Sequence, residues 1–226
     1  MFFEKSQPAS SQALADAARR TMIEDQLRAR GIRDARVLHE MAALRREDFL
    51  PADLSASAYD DRALPVDCGQ TLSQPYIVAL MTERLRLRPQ HRVLEIGTGT
   101  GYQTAVLSRL VGSVFTVERI DELSRQAAAR LARLGCSNVH FHVGDGTLGW
   151  PEHAPYDRIL VTAGAPETPP ALLAQLSTEG ILVIPVGPPD EQVLISIERR
   201  GAELVRRELL ACRFVKLIGS EGWAAT

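Results

Sequence analysis

Three glycines at alternate positions, Gly97, Gly99 and Gly101, follow the apolar run Val93-Leu94-Glu95-Ile96 and precede Tyr102. These residue types in this order suit the binding of a polar, nucleotide-like ligand. Glycine has no Cβ, so the backbone turns tightly and a ligand can approach it, while the helix that follows offers unpaired amides at its positive end. A glycine-rich turn also serves as a plain tight connection, so other residues must decide. Glu118 ends a second apolar run, Val114 to Val117, about 20 positions beyond the first glycine, where a carboxylate accepting from a ribose diol is expected. Asp145, between Gly144 and Gly146, follows a third run, Val139 to Val143. It reads either as an acceptor for an adenine amino group or as an ordinary Asp-Gly turn.

The spacing narrows the ligand. A dinucleotide turn reads G-x-G-x-x-G, its third glycine letting the helix pack beside the pyrophosphate. Here Gly97-Thr98-Gly99-Thr100-Gly101 gives G-x-G-x-G, preceded by Glu95. A carboxylate there repels a pyrophosphate and attracts, directly or through water, the amino group of a methionine moiety. The ligand with that charge pattern is S-adenosylmethionine: a ribose and an adenine to hold, a cationic sulfonium and ammonium, and no phosphate.

The elements that must position these residues alternate along the chain. Strands are predicted over Arg92 to Ile96, Val114 to Val117, Val139 to Val143, Arg158 to Thr162 and Ile181 to Pro185, with helices over Tyr102 to Leu110, Glu122 to Leu134 and Pro170 to Leu176. Such alternation predicts an α/β fold with a doubly wound parallel sheet. The last apolar stretches, Val193 to Glu198 and Leu209 to Leu217, have no helix between them and read as an antiparallel pair at one sheet edge. Upstream, two helices are expected between Leu14 and Arg46, a loop from Asp53 to Gly69, and a helix from Pro75 to about Leu87. Residues 1–226 read as one domain, with a helical and loop segment over 1–75 and a cofactor-binding core over 76–226.

Composition bounds the function classes. The chain has 226 residues, 45% of them hydrophobic, and a net charge of −2, so no overall field draws it to nucleic acid or to an anionic membrane. Cys68, Cys136 and Cys212 are far apart and form no C-x-x-C pair, which indicates neither a zinc site nor a disulfide framework. His140 and His142 share a strand face without a third ligand at metal spacing, and Arg199-Arg200 with Arg206-Arg207 reads as a solvated edge. No metal site is expected. The start, Met1-Phe2-Phe3-Glu4-Lys5-Ser6, lacks the pattern of a secretory signal, and no stretch reaches membrane-spanning length. The expectation is a cytoplasmic monomer that binds neither nucleic acid nor membrane, with an irregular stretch from Ser6 to Gln12.

Several blocks in one order carry a family resemblance. Gly69-Gln70-Thr71-Leu72-Ser73-Gln74-Pro75-Tyr76 is similar to the G-Q-T-I-S-Q-P-Y segment of bacterial protein-L-isoaspartate (D-aspartate) O-methyltransferases. Val93 to Tyr102, Val117-Glu118-Arg119, Gly144-Asp145-Gly146, Ala154-Pro155-Tyr156-Asp157 and Arg213-Phe214-Val215 join it, so the chain resembles that family from about Met22 to Gly219. The resemblance implies a class I methyltransferase sheet and an enzyme that methylates the α-carboxylate freed when an aspartyl or asparaginyl residue isomerises. The ester then closes to a succinimide, whose hydrolysis returns some normal aspartate. It implies Ser73 as the active-site residue, with Gly97, Thr98, Gly99, Gly101, Glu118, Asp145 and Gly146 holding S-adenosylmethionine and Thr71 and Glu95 nearby. The partners implied are isoaspartyl-containing proteins and peptides.

Such chemistry asks for alignment rather than a base. An α-carboxylate has an ordinary pKa of about 3.3 to 3.7 and is already ionised at neutral pH. Ser73 suits the task as a neutral donor orienting one carboxylate oxygen, although Ser73-Gln74-Pro75 also reads as a helix cap. Three departures fall near the expected peptide groove: Asp67-Cys68-Gly69 in place of G-x-G, Leu72 for isoleucine, and Lys216 for proline. Cys68 is expected to be a packed small residue. Two alternatives stay open: a family member redirected to another acceptor, and an S-adenosylmethionine-binding regulatory protein without turnover.

Overall fold

The apolar runs assemble into one seven-stranded sheet in the computed structural model, which describes residues 11–224. Helix α1 (Ser11–Thr21) passes directly into a wider π turn over Met22–Arg28, so Ser11 and Gln12 are helical rather than irregular. The rest of the stretch from Ser6 lies outside the described residues. Helix α2 (Ala35–Ala43) begins where the Asp34 side chain accepts a hydrogen bond from the Arg36 amide. Met22, Leu27, Val37 and Met41 are buried in the same cluster as Val93 and Val114 of the sheet, so the N-terminal helices and the sheet share a core.

The stretch read as a loop contains structure. It holds 3₁₀ turns at Ala52–Ser57 and Asp67–Gly69, and β1 (Leu64–Pro65), between them, pairs antiparallel with β2 (Thr71–Leu72), which follows the second turn. Two-residue strands lie below what hydrophobic alternation can reveal. Helix α3 (Pro75–Arg84) follows, with Pro75 in its first turn, where a missing N–H costs nothing.

Then come β3 (Arg92–Ile96), α4 (Tyr102–Ser108), β4 (Ser113–Glu118), α5 (Asp121–Arg133), β5 (Val139–Val143), β6 (Tyr156–Val161), α6 (Pro170–Ala174) and β7 (Leu176–Val186). The chain closes its sheet with β8 (Gln192–Arg200) and β9 (Glu203–Cys212). The spatial order is β5-β4-β3-β6-β7-β8-β9, with β8 antiparallel to β7 and β9 antiparallel to β8. The final strand starts earlier than its apolar residues suggested, because a two-residue turn after Arg200 sets the register at Glu203. Residues 213–217, expected in that strand, leave it and return to the carboxyl ends of the parallel strands, where Lys216 bridges to Gly164.

Strand order reverses between β3 and β6, with β4 and β5 on one side and β7 on the other. Ligands of open parallel sheets bind outside the carboxyl ends at such a point. Side chains alternate across a strand, so Leu94 and Ile96 enter one core cluster while Val93 enters the other. That parity decides where Glu95 goes.

Candidate active site

The glycine turn sits on the reversal point, and the close approach there explains its first glycine. Gly97 has φ +94°, and a Cβ at this position would lie 2.4 Å from the Thr162 hydroxyl at the end of β6. That hydroxyl is 2.9 and 2.8 Å from the carbonyl oxygens of Ile96 and Gly97 and can donate to either. Gly101, at φ +86°, lets α4 pack on α5; a Cβ would meet Leu131 at 2.9 Å. It supports the turn from behind and does not line the cleft.

Glu118 faces the turn. The Gly99 amide donates to its Oε2 and the Ile120 amide to its Oε1, both at 3.0 Å. Each carboxylate oxygen keeps a second acceptor direction, which suits a vicinal diol. Glu118 and Gly97, Thr98 and Gly99 line a cleft of about 350 Å³, together with Gly146, Thr71 and Ser73. A cleft of that size matches a small-molecule site.

Glu95 is elsewhere. Sharing the face of Val93, it is fully buried beneath α4, where Thr104 and Thr116 donate to its Oε2 at 2.5 and 2.7 Å, while Oε1 has no partner. Burial pushes its pKa up to about 7; the two threonine hydrogen bonds offset part of that rise, and the Glu118 charge adds to it. Thr98 reaches this group through Thr116, whose oxygen is 2.6 Å away. Thr116 spends its proton on Glu95, so Thr98 donates to Thr116. Glu95 does not itself line the cleft and is tied to the turn through Thr116 and Thr98.

Asp145 is tied to the C-terminal segment. Its Oδ1 accepts from the amide and hydroxyl of Thr147, and its Oδ2 accepts from the amide and hydroxyl of Ser220. These four donors engage both carboxylate oxygens. Burial raises its pKa, and the Ser220 and Thr147 hydrogen bonds more than cancel that, holding the carboxyl below its ordinary value. Asp145 clamps the C-terminal segment whose residues Val215 to Ile218 wall the cleft. Lys216 lines this donor-side cleft rather than the peptide groove, its ammonium 5.8 Å from the Trp223 ring centre.

Ser73 lies where two depressions meet. A second groove, about 410 Å³, shares Thr71 and Ser73 with the first and runs past Tyr76, Cys212 and Phe214. Arg30 flanks it, stacked 3.7 Å over the Tyr76 ring and paired with Asp61 at 2.9 Å. Gln74, not Ser73, occupies the cap position of α3, and no side chain caps that helix. The Ser73 hydroxyl makes no hydrogen bond among the described residues, while its carbonyl accepts from Arg46 at 2.6 Å. The roles of Arg46, Thr162 and Arg30 carry no signal in the sequence, because each acts through contacts distant in the chain. Cys68 is exposed, not packed, and holds a left-handed backbone (φ 57°) in the position before Gly69. His140 stacks on Phe115 at 4.8 Å and His142 on Trp150 at 4.9 Å, and no cluster of three metal-ligating side chains occurs among the described residues.

Residues 17–222 match the model of the protein-L-isoaspartate(D-aspartate) O-methyltransferase family. The chain belongs to that family. Among isoaspartate methyltransferases it is 56% identical over 207 residues to protein-L-isoaspartate O-methyltransferase 2 of Pelobacter propionicus, covering 91% of this chain and 92% of the relative. The protein-L-isoaspartate O-methyltransferase of Magnetococcus marinus is 52% identical over 219 residues, 96% of each chain. A solved protein-L-isoaspartate O-methyltransferase superposes with a TM-score of 0.80 at 34% identity, covering 90% of this chain and 67% of that one. A Plasmodium falciparum protein solved with S-adenosyl-L-homocysteine superposes with a TM-score of 0.77 at 25% identity, over 88% of this chain and 98% of that one. The sheet is thus the Rossmann-like methyltransferase sheet, ended by an antiparallel pair.

The residues present fit S-adenosylmethionine, the family's cofactor. Glu118 keeps two free acceptor directions, and the Gly99 Cβ position opens onto space with nothing within 4 Å. Bound there, S-adenosylmethionine supplies a methyl group activated by a positively charged sulfur.

Proposed function

We infer that this chain methylates the free carboxylate of L-isoaspartyl residues in damaged proteins and peptides, using S-adenosylmethionine and initiating repair through a succinimide. Glu118 would hold the ribose, with Gly97, Thr98, Gly99, Gly146 and Thr71 shaping the rest of the donor cleft. Ser73 would donate a hydrogen bond to one oxygen of the acceptor carboxylate and so aim the other. The observation that carries this reading is the unengaged Ser73 hydroxyl at the junction of two depressions, one walled by the glycine turn and Glu118, the other an open groove.

The neutral donor at the junction suits such a reaction. The acceptor arrives ionised, so no base is needed, and alignment of reacting atoms at about 3 to 3.5 Å supplies several kcal/mol. A neutral hydroxyl orients an anion without suppressing its nucleophilicity as a full positive charge would. Asp145 and Gly101 would contribute indirectly, as clamp and packing position, and Glu95 through Thr116 and Thr98. We further infer a monomer working in the cytoplasm, without nucleic acid or membrane partners; no described helix is long and apolar enough to cross a membrane.

The test is methyl transfer to an isoaspartyl peptide beside the same peptide with normal aspartate. Methylation confined to the isoaspartyl form is expected. Equal transfer to both, or transfer to neither while S-adenosylhomocysteine binds, would reject the reading.

A further inference from the structure

Arg46 is 0% exposed and forms no ion pair among the described residues. Burying a guanidinium without a counter-ion is costly, and a buried charge is normally paired. Its neighbour Glu47 is engaged elsewhere, with Arg45 at 3.2 Å and with the Tyr59 hydroxyl. What Arg46 does instead is hold two loop carbonyls: Nε donates to Ala58 and Nη2 to Ser73, each at 2.6 Å. Neither carbonyl has a ladder partner in the seven-stranded sheet. Burial lowers the Arg46 pKa, with Tyr102 and Tyr59 opposing that shift.

The same 3₁₀ turn, Arg46–Phe49, also reaches the glycine turn. The Arg46 guanidinium carbon is 5.0 Å from the ring centre of Tyr102, the residue that opens α4 and lines the donor cleft. Phe49 meets that ring edge-on at 5.2 Å. The Arg130 guanidinium carbon lies 5.7 Å from the Phe49 ring centre, and Arg130 donates at 2.6 Å to the Thr100 carbonyl inside the glycine turn. One short turn from the N-terminal segment therefore touches both sides of the cleft.

The geometry points to Arg46 as a positioning residue that fixes Ser73 relative to the glycine turn, acting with Phe49, Tyr102 and Arg130 as a clamp between acceptor loop and donor site. This rests on the methyl-transfer reading for its activity readout, while its structural readout is independent of it. Arg46 lines neither the donor cleft nor the groove beside it. Its fork spans two carbonyls at once, which a lysine ammonium cannot reproduce.

A double-mutant cycle tests the clamp, with kcat for an isoaspartyl peptide expressed per S-adenosylhomocysteine-binding site so that unfolded molecules do not count. Arg46→Lys is expected to lower kcat at least about tenfold, with peptide KM and S-adenosylhomocysteine Kd within about threefold. In the Ser73→Ala background the same change should cost less than about twofold, because the group it positions is gone. Phe49→Leu, which keeps both Arg46 hydrogen bonds and loses the ring contact, should give a smaller loss in the same direction. It serves if Arg46→Lys does not fold. Amide hydrogen exchange supplies the second readout: either variant should exchange faster across residues 71–74 and 98–102 than wild type, with β4 unchanged. Multiplicative kcat losses in the cycle, or unchanged exchange in both segments, would overturn the clamp. A wild-type protein that methylates no isoaspartyl peptide would instead reject the functional reading, and the exchange result would still decide the clamp.

Discussion

The two sides of the cleft are built differently. On the donor side, the glycine turn connects a five-residue parallel strand to a helix, and Glu118 is held by two backbone amides. On the acceptor side, Ser73 hangs on a hairpin of two-residue strands, held by side chains: Arg46 on its carbonyl, and Gln74 on Asp61 at 2.8 Å. Regular ladders fix the first side; a few long side chains fix the second. Changes on the donor side should therefore appear in binding, and changes on the acceptor side in turnover.

The sharpest way to break this contrast is Ser73→Ala. Loss of an aligning donor should cost about 100-fold in kcat for an isoaspartyl peptide, with S-adenosylhomocysteine affinity within about threefold by calorimetry. Loss of affinity with unchanged kcat would reverse the assignment of the two sides. Glu118→Ala should do the opposite: removing a charge-assisted acceptor of the ribose weakens S-adenosylhomocysteine by about 10- to 50-fold, and kcat at saturating donor falls little.

Glu95 sharpens the comparison from beneath the turn. Its pKa is raised from 4.5 to about 7, so between those values the folded protein holds a proton that the unfolded chain releases. Stability therefore falls as pH rises through that window and levels off above it. Glu95→Gln should flatten the profile: relative to wild type, its unfolding free energy should improve by roughly 2 kcal/mol between pH 5 and pH 8, by urea denaturation. An identical pH profile in the two proteins would show that Glu95 is ionised throughout.

The smallest effect belongs to the acceptor loop. Cys68 holds a left-handed backbone that glycine adopts freely, so Cys68→Gly should stabilise the protein by up to about 1 kcal/mol, a rise of about 2 to 4 °C in Tm. A fall in Tm would mean that the thiol makes contacts worth more than the strain.

The same contrast separates what was legible in the sequence from what was not. β3 and β5 run over the residues expected of them: β3 is a mostly buried apolar run bounded by turn residues, and β5, at the sheet edge, alternates Val139, Phe141 and Val143 with two histidines. The glycine turn and Glu118 were readable because their spacing is set by a single βαβ unit. The burial of Glu95 was not legible, because it depends on strand parity and on Thr104 of α4 and Thr116 of β4 meeting the carboxylate. The clamp at Asp145 was not legible, because half of its donors come from Ser220, far off in sequence. Arg46 left no signal, since a basic residue between two helices looks solvated until the fold buries it.

The central claim is that an acceptor carboxylate meets Ser73 while a ribose rests on Glu118. A crystal structure with S-adenosylhomocysteine and an isoaspartyl peptide measures both distances at once. The account expects the ribose hydroxyls about 3 Å from the Glu118 oxygens and one oxygen of the peptide carboxylate about 3 Å from the Ser73 hydroxyl. A carboxylate bound away from Ser73, or a ribose held by other residues, would contradict it.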